Sequence, residues 1–499
     1  MILAWLIAIP SAAAVLAWIS GRWSTAWPRR LSILALAANL GLAVAVWVQQ
    51  FGQGASTLQG PWLAEFSVPW LPQFGIGFHL ALDGLSLVLV TLTAFLGIVA
   101  VAASWTEVGD RVGFFHFNLL WVLAAITGVF LAVDLFLFYF FWELMLIPSY
   151  FLFLWGFERR FYAAIKFFLF TQACGLLMLL SILGLYFVHG QDTGRYSFDY
   201  AELLGTSLPP DWAIWLMLGM FVGLAVKLPA VPIHTWLPDA YTQAPTGASV
   251  VLSGLMAKTA GYGLIRFLVP LFPQAAPSFA PVALALAVVG IVYGAVLAFG
   301  QRDLKRLIAC SSLSHMGFVL LGVFAWNSLA LQGAVMVMVA HGVSTGALFV
   351  LAGAIQQRVG TREMDHMGGL WATIPLMGGA TLFFALASLG LPGLGNFVGE
   401  FLTLLGTFQA NFAAAVLAAL GIVFATVYAL WMIQRVFHGP IAERRQLPDL
   451  SSRELGMVAM LVATALWLGF YPQPVLDAAG QGLANAMGSA ATAQVEPRR

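Results

Sequence analysis

The sequence predicts an all-α polytopic membrane protein with about fourteen transmembrane helices. Three observations lead there. Of 499 residues, 61% are hydrophobic and only 9% charged, whereas a soluble domain carries about 25% charged residues. Apolar runs of about 20 residues, enough to cross a bilayer, follow one another along nearly the whole chain. The basic residues between those runs also fall alternately rich and poor. A net charge of +1 argues against a nucleic-acid partner.

The runs predict spans near 1–20, 31–50, 81–103, 113–133, 134–156, 162–188, 212–230, 246–268, 277–300, 307–325, 329–355, 372–408, 411–435 and 454–472. The first lacks a basic segment ahead of it; Arg22, Arg29 and Arg30 follow it. That order predicts a retained span, not a cleaved leader. Residues 51–80 read as a long external loop containing a short hairpin, and the tail after Pro474 as an external helix with a disordered end. Run 372–408 is too long for one straight helix. Leu391-Pro-Gly-Leu-Gly-Asn interrupts it, so it counts as one broken helix.

Loops after odd-numbered spans hold sixteen of the 22 Lys and Arg residues. The other side holds Arg195, Arg498 and Arg499, and Lys227, Lys258 and Arg266 lie within spans. Positive charge marks the cytoplasmic side, so both termini are expected outside. A miscounted span would have scrambled the alternation from that point onward.

Two helices are broken, the seventh at Pro229 and Pro232 and the twelfth at Pro392 and Gly393. They lie five spans apart and so cross in opposite senses, which is the mark of inverted repeats in transporters. The expected units are 113–272 (spans 4–8) and 273–436 (spans 9–13). Residues 1–112 (spans 1–3) and 437–499 (the last helix and tail) flank them. Lys227 ends the first half of helix 7, where the helix dipole favours a cation. Glu400 follows Asn396, expected as an N-cap, where the dipole favours a carboxylate. Burial disfavours both charges, so each group is poised between two states.

An ionisable residue at membrane depth costs roughly 2.5–3.5 kcal/mol on insertion scales and usually serves a function. Glu143, nine residues into span 5, needs a partner, and Lys227 is the natural one; the plain alternative is a static ion pair. Lys258 is central in span 8, near Gly254 and Gly261, too deep to snorkel. Arg266 lies two turns on and is expected to reach an interface. His315 and His341, in adjacent spans between Lys258 and Glu400, suit a proton relay, although a lone histidine is more often a hydrogen-bonded core residue. His234 follows the first break and either carries protons or caps freed carbonyls. Asp134, with Asp83, opens a span and is a secondary candidate or a simple helix-start residue. Lys305 and Arg306 read as topology determinants. Cys174 and Cys310 are far apart in apolar runs and read as core residues. No C-x-x-C, His/Cys cluster or Gly-rich phosphate loop points to a metal, cluster or nucleotide in this chain.

Three runs resemble the antiporter-like subunits of respiratory complex I. They are Phe-Phe-Trp-Glu-Leu-Met-Leu-Ile-Pro (140–148), Lys-Leu-Pro-Ala-Val-Pro-Ile-His-Thr-Trp-Leu-Pro-Asp-Ala (227–240) and Gln-Ala-Pro-Thr-Gly-Ala-Ser (243–249). Asp-Leu-Lys-Arg-Leu-Ile-Ala-Cys-Ser-Ser-Leu-Ser-His-Met-Gly (303–317) is similar to the same pattern, with Cys310 where tyrosine is frequent. Within the family, Glu400 in Leu-Pro-Gly-Leu-Gly-Asn-Phe-Val-Gly-Glu-Phe (391–401) resembles the M type. L-type and N-type subunits and sodium/proton antiporter relatives tend to have lysine there. The resemblance implies a proton-translocating membrane-arm subunit in a bacterial inner membrane. Glu143 and Lys227 would form the input pair, Lys258, His315 and His341 the relay, and Glu400 the exit. Flavin, iron–sulfur clusters and quinone would belong to partner subunits, with L-type and N-type subunits as neighbours. The competing readings are a subunit of a cation/proton antiporter or membrane-bound hydrogenase, and a structural spacer with locked charge pairs.

Overall fold

The computed structural model describes residues 1–51, 61–440, 447–480 and 482–484. Apolar runs become helices because a lipid-embedded backbone must satisfy its own hydrogen bonds. In order these are α1 Ile2–Ser20, α2 Ala26–Phe51, α3 Gly84–Glu107, α4 Val112–Leu131, α5 Leu135–Trp155, α6 Arg160–Thr193 and α7 Pro210–Lys227. After α7 come α8 Trp236–Gln243, α9 Thr246–Leu271, α10 Ala275–Phe299, α11 Leu304–Phe324 and α12 Ser328–Val359. The chain continues through α13 Pro375–Ser388, α14 Gly395–Ala410, α15 Phe412–Phe437 and α16 Ser452–Phe470. Among the described residues, 13 helices are long and apolar enough to cross a membrane. The broken pair α13/α14 supplies the fourteenth crossing that the sequence predicts.

The two breaks are built alike. After α7 the Ala230 amide donates to the Ala225 carbonyl, and after α13 the Leu391 amide donates to the Leu386 carbonyl, five residues back in each case. A wide turn thus ends each first half-helix. At the first break the freed Val226 carbonyl accepts from the Trp236 indole at 2.9 Å. That contact supplies the partner a broken helix needs at membrane depth.

The apolar segments of α9, α11 and α12 are entirely buried, whereas those of α1, α2, α6 and α16 are one third buried. The three central helices therefore form the core, and the others present apolar side chains to lipid or to neighbours. Without a hydrophobic force between helices in lipid, close approach comes from small residues. A Cβ on Gly342 would lie 3.0 Å from the Gly254 carbonyl oxygen, so α9 and α12 touch backbone to backbone there. Two stretches of α9, Leu252–Met256 and Leu264–Leu268, are π-helical, a wide geometry that often marks functional sites.

Outside the spans, β1 Ala64–Leu71 and β2 Ile76–Leu82 pair as the expected hairpin. Residues 473–480 form the expected tail helix, while the end from 485 lies outside the described residues. His79 on β2 pins the hairpin: its Nδ1 lies 2.5 Å from Asp199 and its Nε2 2.7 Å from Glu65. The Asp199 hydrogen bond leads in raising the His79 pKa above its usual 6.5. The imidazolium contacts therefore stabilise the hairpin fully below about pH 6.5 and fade as pH rises through the elevated folded value. Hydrogen exchange over 64–82, corrected for intrinsic pH dependence, should accelerate across that rise and lose the effect in His79→Gln. A flat profile in the unsubstituted protein would contradict this clasp.

Candidate functional site

Lys227 is 1% exposed at the end of α7. Its ammonium donates to the Trp142 carbonyl at 3.0 Å and sits 3.9 Å from the centre of the Trp142 ring. The expected direct pair with Glu143 is absent. Adjacent residues on a helix point about 100° apart, so α5 turns Trp142 towards α7 and Glu143 elsewhere. The half-buried Glu143 carboxylate lies instead beside Gly175 of α6, where a Cβ would stand 2.6 Å from its Oε1. Trp142, which the sequence motif contains but charge-based reading passes over, is the group that actually holds Lys227.

Lys258 is wholly buried in α9 between the two π-helical stretches. Its Nζ lies 2.6 Å from the Ser253 carbonyl oxygen and 2.7 Å from His341 Nδ1 of α12. The His341 and His315 rings are 5.3 Å apart, centre to centre. His315 Nδ1 of α11 lies 2.9 Å from Glu400 Oε1 of α14. His315 Nε2 is 3.1 Å from the Ser388 hydroxyl and 3.2 Å from the Tyr428 hydroxyl. Four of the six proposed transfer residues thus form one buried line, Lys258–His341–His315–Glu400. No hydrogen bond joins Lys227 or Glu143 to this line directly.

The second break shapes the Glu400 end. Gly390 has φ +81°, and a Cβ there would lie 3.0 Å from Glu400 Oε2; the missing side chain leaves room for the carboxylate. Asn396 is not the N-cap. Leu394 holds that position, and Asn396 lies in the first turn of α14, because the extended backbone at Leu394 starts the helix two residues earlier. Ser388 and Tyr428 escape sequence reading, since a lone serine or tyrosine in an apolar run carries no distinguishing pattern.

The secondary candidates separate. His234 is buried beside Tyr293, with ring centres 5.3 Å apart, and its Nδ1 lacks a hydrogen-bond partner. Asp134 caps α5 through the Leu137 amide and also accepts from Gly77 of the hairpin, both at 2.9 Å. Burial pushes its carboxyl up to about 6 against those hydrogen bonds. Arg266 does not snorkel. It is 3% exposed and ion-paired to Asp83, which also caps α3 through the Ser86 amide. Lys305 and Arg306, read as topology determinants, also make contacts within the fold. Arg306 meets Asp239 at 2.7 Å, as does Lys166. Lys305 is wholly buried, with its Nζ 3.1 Å from the Ala244 carbonyl oxygen.

A bundle with fourteen crossings, two broken helices and a line of buried ionisable groups defines the antiporter-like class of membrane subunit. This chain belongs to the NADH:quinone oxidoreductase/Mrp antiporter transmembrane family, whose profile matches residues 132–426. It is 52% identical over 486 residues to NADH-quinone oxidoreductase subunit M of Pseudomonas aeruginosa, covering 96% of each chain. It is 49% identical over 497 residues to subunit M of Escherichia coli K12, covering 97% of each. Among solved structures, a chain of respiratory complex I from Thermus thermophilus with bound NADH matches with TM-score 0.86 and 31% identity. That match covers 98% of this chain and 100% of that one. A chain of the Mrp complex from Dietzia matches with TM-score 0.84 at 22% identity, over 97% of each, and so shares the fold.

The buried Asp83–Arg266 pair gives a stability test. Asp83→Asn keeps a capping acceptor but strands the arginine charge, and breaking a buried pair from one side costs about 3–5 kcal/mol. Adding Arg266→Met removes the stranded charge and should recover most of the loss. Thermal unfolding of the purified complex checks this. Additive losses in the double variant would refute the coupling.

Proposed function

We propose that the chain works as the M-type antiporter-like subunit of a bacterial NADH:quinone oxidoreductase. It moves protons through buried side chains while redox chemistry proceeds in other subunits. Flavin, iron–sulfur clusters and quinone belong to those subunits, and the L-type and N-type subunits are its proposed neighbours along the membrane arm. It is an integral protein of the inner membrane, with both termini proposed on the periplasmic side. The inverted units 113–272 and 273–436 remain part of this reading, supported by the matching wide turns at the two breaks.

The observation that carries the reading is the hydrogen-bonded line Lys258–His341 and His315–Glu400, whose rings meet at 5.3 Å. Lysine can give a proton to a neutral imidazole, and imidazole can accept at one nitrogen and release from the other. His341 accepts at Nδ1 from Lys258; its buried Nε2 has no other partner and is free to release. His315 then passes charge to Glu400, whose carboxylate it already contacts. Lys227 acts from the side. Its ammonium adds positive charge at the first break, and movement of the Glu143 charge alters the cost of keeping it. An excess proton at any member raises the cost of one at the next, so loading at one end promotes release at the other.

Lys227→Ala and Glu400→Gln should leave the complex assembled. Each should lower coupled quinone reduction and proton pumping together by roughly tenfold or more, since proton-transfer groups typically contribute 10²–10⁴-fold. Vesicle pumping assays alongside native-gel quantification of the complex check this. Normal pumping by the fully assembled variants would overturn the roles.

A further inference from the structure

Arg29 and Arg453 are cations that the fold brings together without an anion. Arg29 lies in the first turn of α2 and Arg453 in the first turn of α16, where the positive end of each helix dipole disfavours a cation. Both reach the end of α3. Arg29 Nη2 donates to the Val108 carbonyl at 2.9 Å, and Arg453 Nη2 donates to the Thr106 hydroxyl at 3.1 Å. Those acceptors are two residues apart, so the guanidiniums stand close, and Arg453 repels Arg29. Neither has an ion-pair partner among the described residues, and both Nε groups lack a hydrogen-bond acceptor. The carboxylates nearby in sequence are committed elsewhere. Glu454 meets Arg358 at 2.7 Å, and Glu107 accepts from the Thr246 amide and hydroxyl at 2.9 and 3.1 Å. A guanidinium carries five N–H donors, and protein acceptors take one from each of these two.

The same three helices lead from the arginines into an apolar cavity. On α3, Thr91, Phe95, Ile98, Ala102 and Trp105 are partly exposed, while the residues between them are buried. Their alternating steps of four and three make one stripe along a helix face. The stripe ends at Trp105, whose ring lies 5.6 Å from the Arg29 guanidinium carbon. At its other end, Thr91 and Phe95 line a cavity of about 340 Å³ with Leu40 and Val44 of α2 and Thr464 and Trp467 of α16. Leu40 lies eleven residues after Arg29, Thr464 eleven after Arg453 and Phe95 ten before Trp105. At 1.5 Å per residue, all three helices place the cavity about 15–17 Å along from the arginines. Half of a bilayer's hydrocarbon core is about 15 Å thick. Trp23 and Trp27, at the arginine end of α2, are 76% and 53% exposed. Exposed tryptophan is typical of the headgroup level.

We propose that this groove binds one anionic glycerophospholipid, with its phosphate between Arg29 and Arg453 and an acyl chain along the α3 stripe into the cavity. The guanidinium fork matches phosphate oxygens, and basic pockets between spanning helices are a general form of lipid recognition. Inorganic phosphate would satisfy the arginines but leave the apolar stripe and cavity uncovered, and so would a carboxylate from a neighbouring subunit. The equal depths on three helices favour a molecule that has both a phosphate and a long apolar chain. The inference is independent of the proton relay.

The test uses the assembled complex in detergent with trace phosphatidylglycerol that carries a diazirine at the end of one acyl chain. Irradiation followed by peptide mass spectrometry locates the label. Label is expected on residues 40–48, 88–95 and 464–468, the cavity segments of α2, α3 and α16. Phosphatidylethanolamine with the same chain should label these segments several-fold less. Arg29→Ala/Arg453→Ala should lower the phosphatidylglycerol label there by roughly tenfold, while label on the exposed face of α6 stays unchanged. Equal label from the two lipids, or label that survives the arginine substitutions, overturns the proposal. If the double variant fails to assemble, the comparison of the two lipids in the unsubstituted complex still decides. Absence of label from the cavity segments also overturns it. Radiolabelled inorganic phosphate held by the complex and lost in the double variant would then assign the arginines to a free anion, and no retained phosphate would assign them to a neighbouring subunit's carboxylate.

Discussion

The contact between Lys258 and His341 is the constraint on which the rest of this architecture turns. A lysine in the middle of a wholly buried helix is costly unless polar groups receive it. Here the reception takes three features at once. Gly254 and Gly342 let α9 and α12 meet backbone to backbone. The π-helical turn before Lys258 presents the Ser253 carbonyl to its ammonium. His341 then completes the contact with Nδ1. The same close packing fixes the His341 ring beside His315, and through His315 it fixes the distance to Glu400. The line of ionisable groups is thus a consequence of how the three central helices pack.

The chain also shows two ways of burying charge. Asp83 and Arg266 form a direct pair, with Asp83 additionally tied to a helix cap. Such a pair is self-compensated and suits a fastening between α3 and α9. Lys227, Lys258 and Lys305 have carbonyls, rings or imidazole as partners and no carboxylate in contact. A cation held by neutral groups can lose its proton without stranding a partner charge, and that distinguishes a transfer group from a static one. Arg266 is thus held in a locked ion pair, whereas the proposed transfer residues Lys227 and Lys258 are not.

Much of this was legible in the sequence, and the gaps have physical causes. Fourteen crossings, both breaks and the hairpin follow from apolar length, proline and glycine placement and the alternation of basic loops. All six transfer candidates were visible because a charge or histidine inside an apolar run stands out. Partner assignment was less legible. Glu143 was matched to Lys227 by charge, yet neighbouring positions on α5 face different helices, and Trp142 takes the contact. Arg266 was expected at an interface because it lies two turns past Lys258, and its partner Asp83, 183 residues away in sequence, gave no local signal. Lys305 was read as a topology determinant because it stands in the basic run Lys305-Arg306, and its burial against Ala244 and Phe157 has no local signature in the sequence. Ser253 and the π-helical turns have no one-dimensional signature at all.

The most direct test of the central claim is the number of protons pumped, and the turnover rate, of a fully assembled complex carrying His341→Gln. Glutamine can still hydrogen-bond Lys258 but does not pass a proton. The account predicts that assembly persists while pumping and coupled quinone reduction fall together by roughly tenfold or more. An assembled His341→Gln complex that pumps with unchanged rate and stoichiometry would contradict a proton line through Lys258, His341, His315 and Glu400.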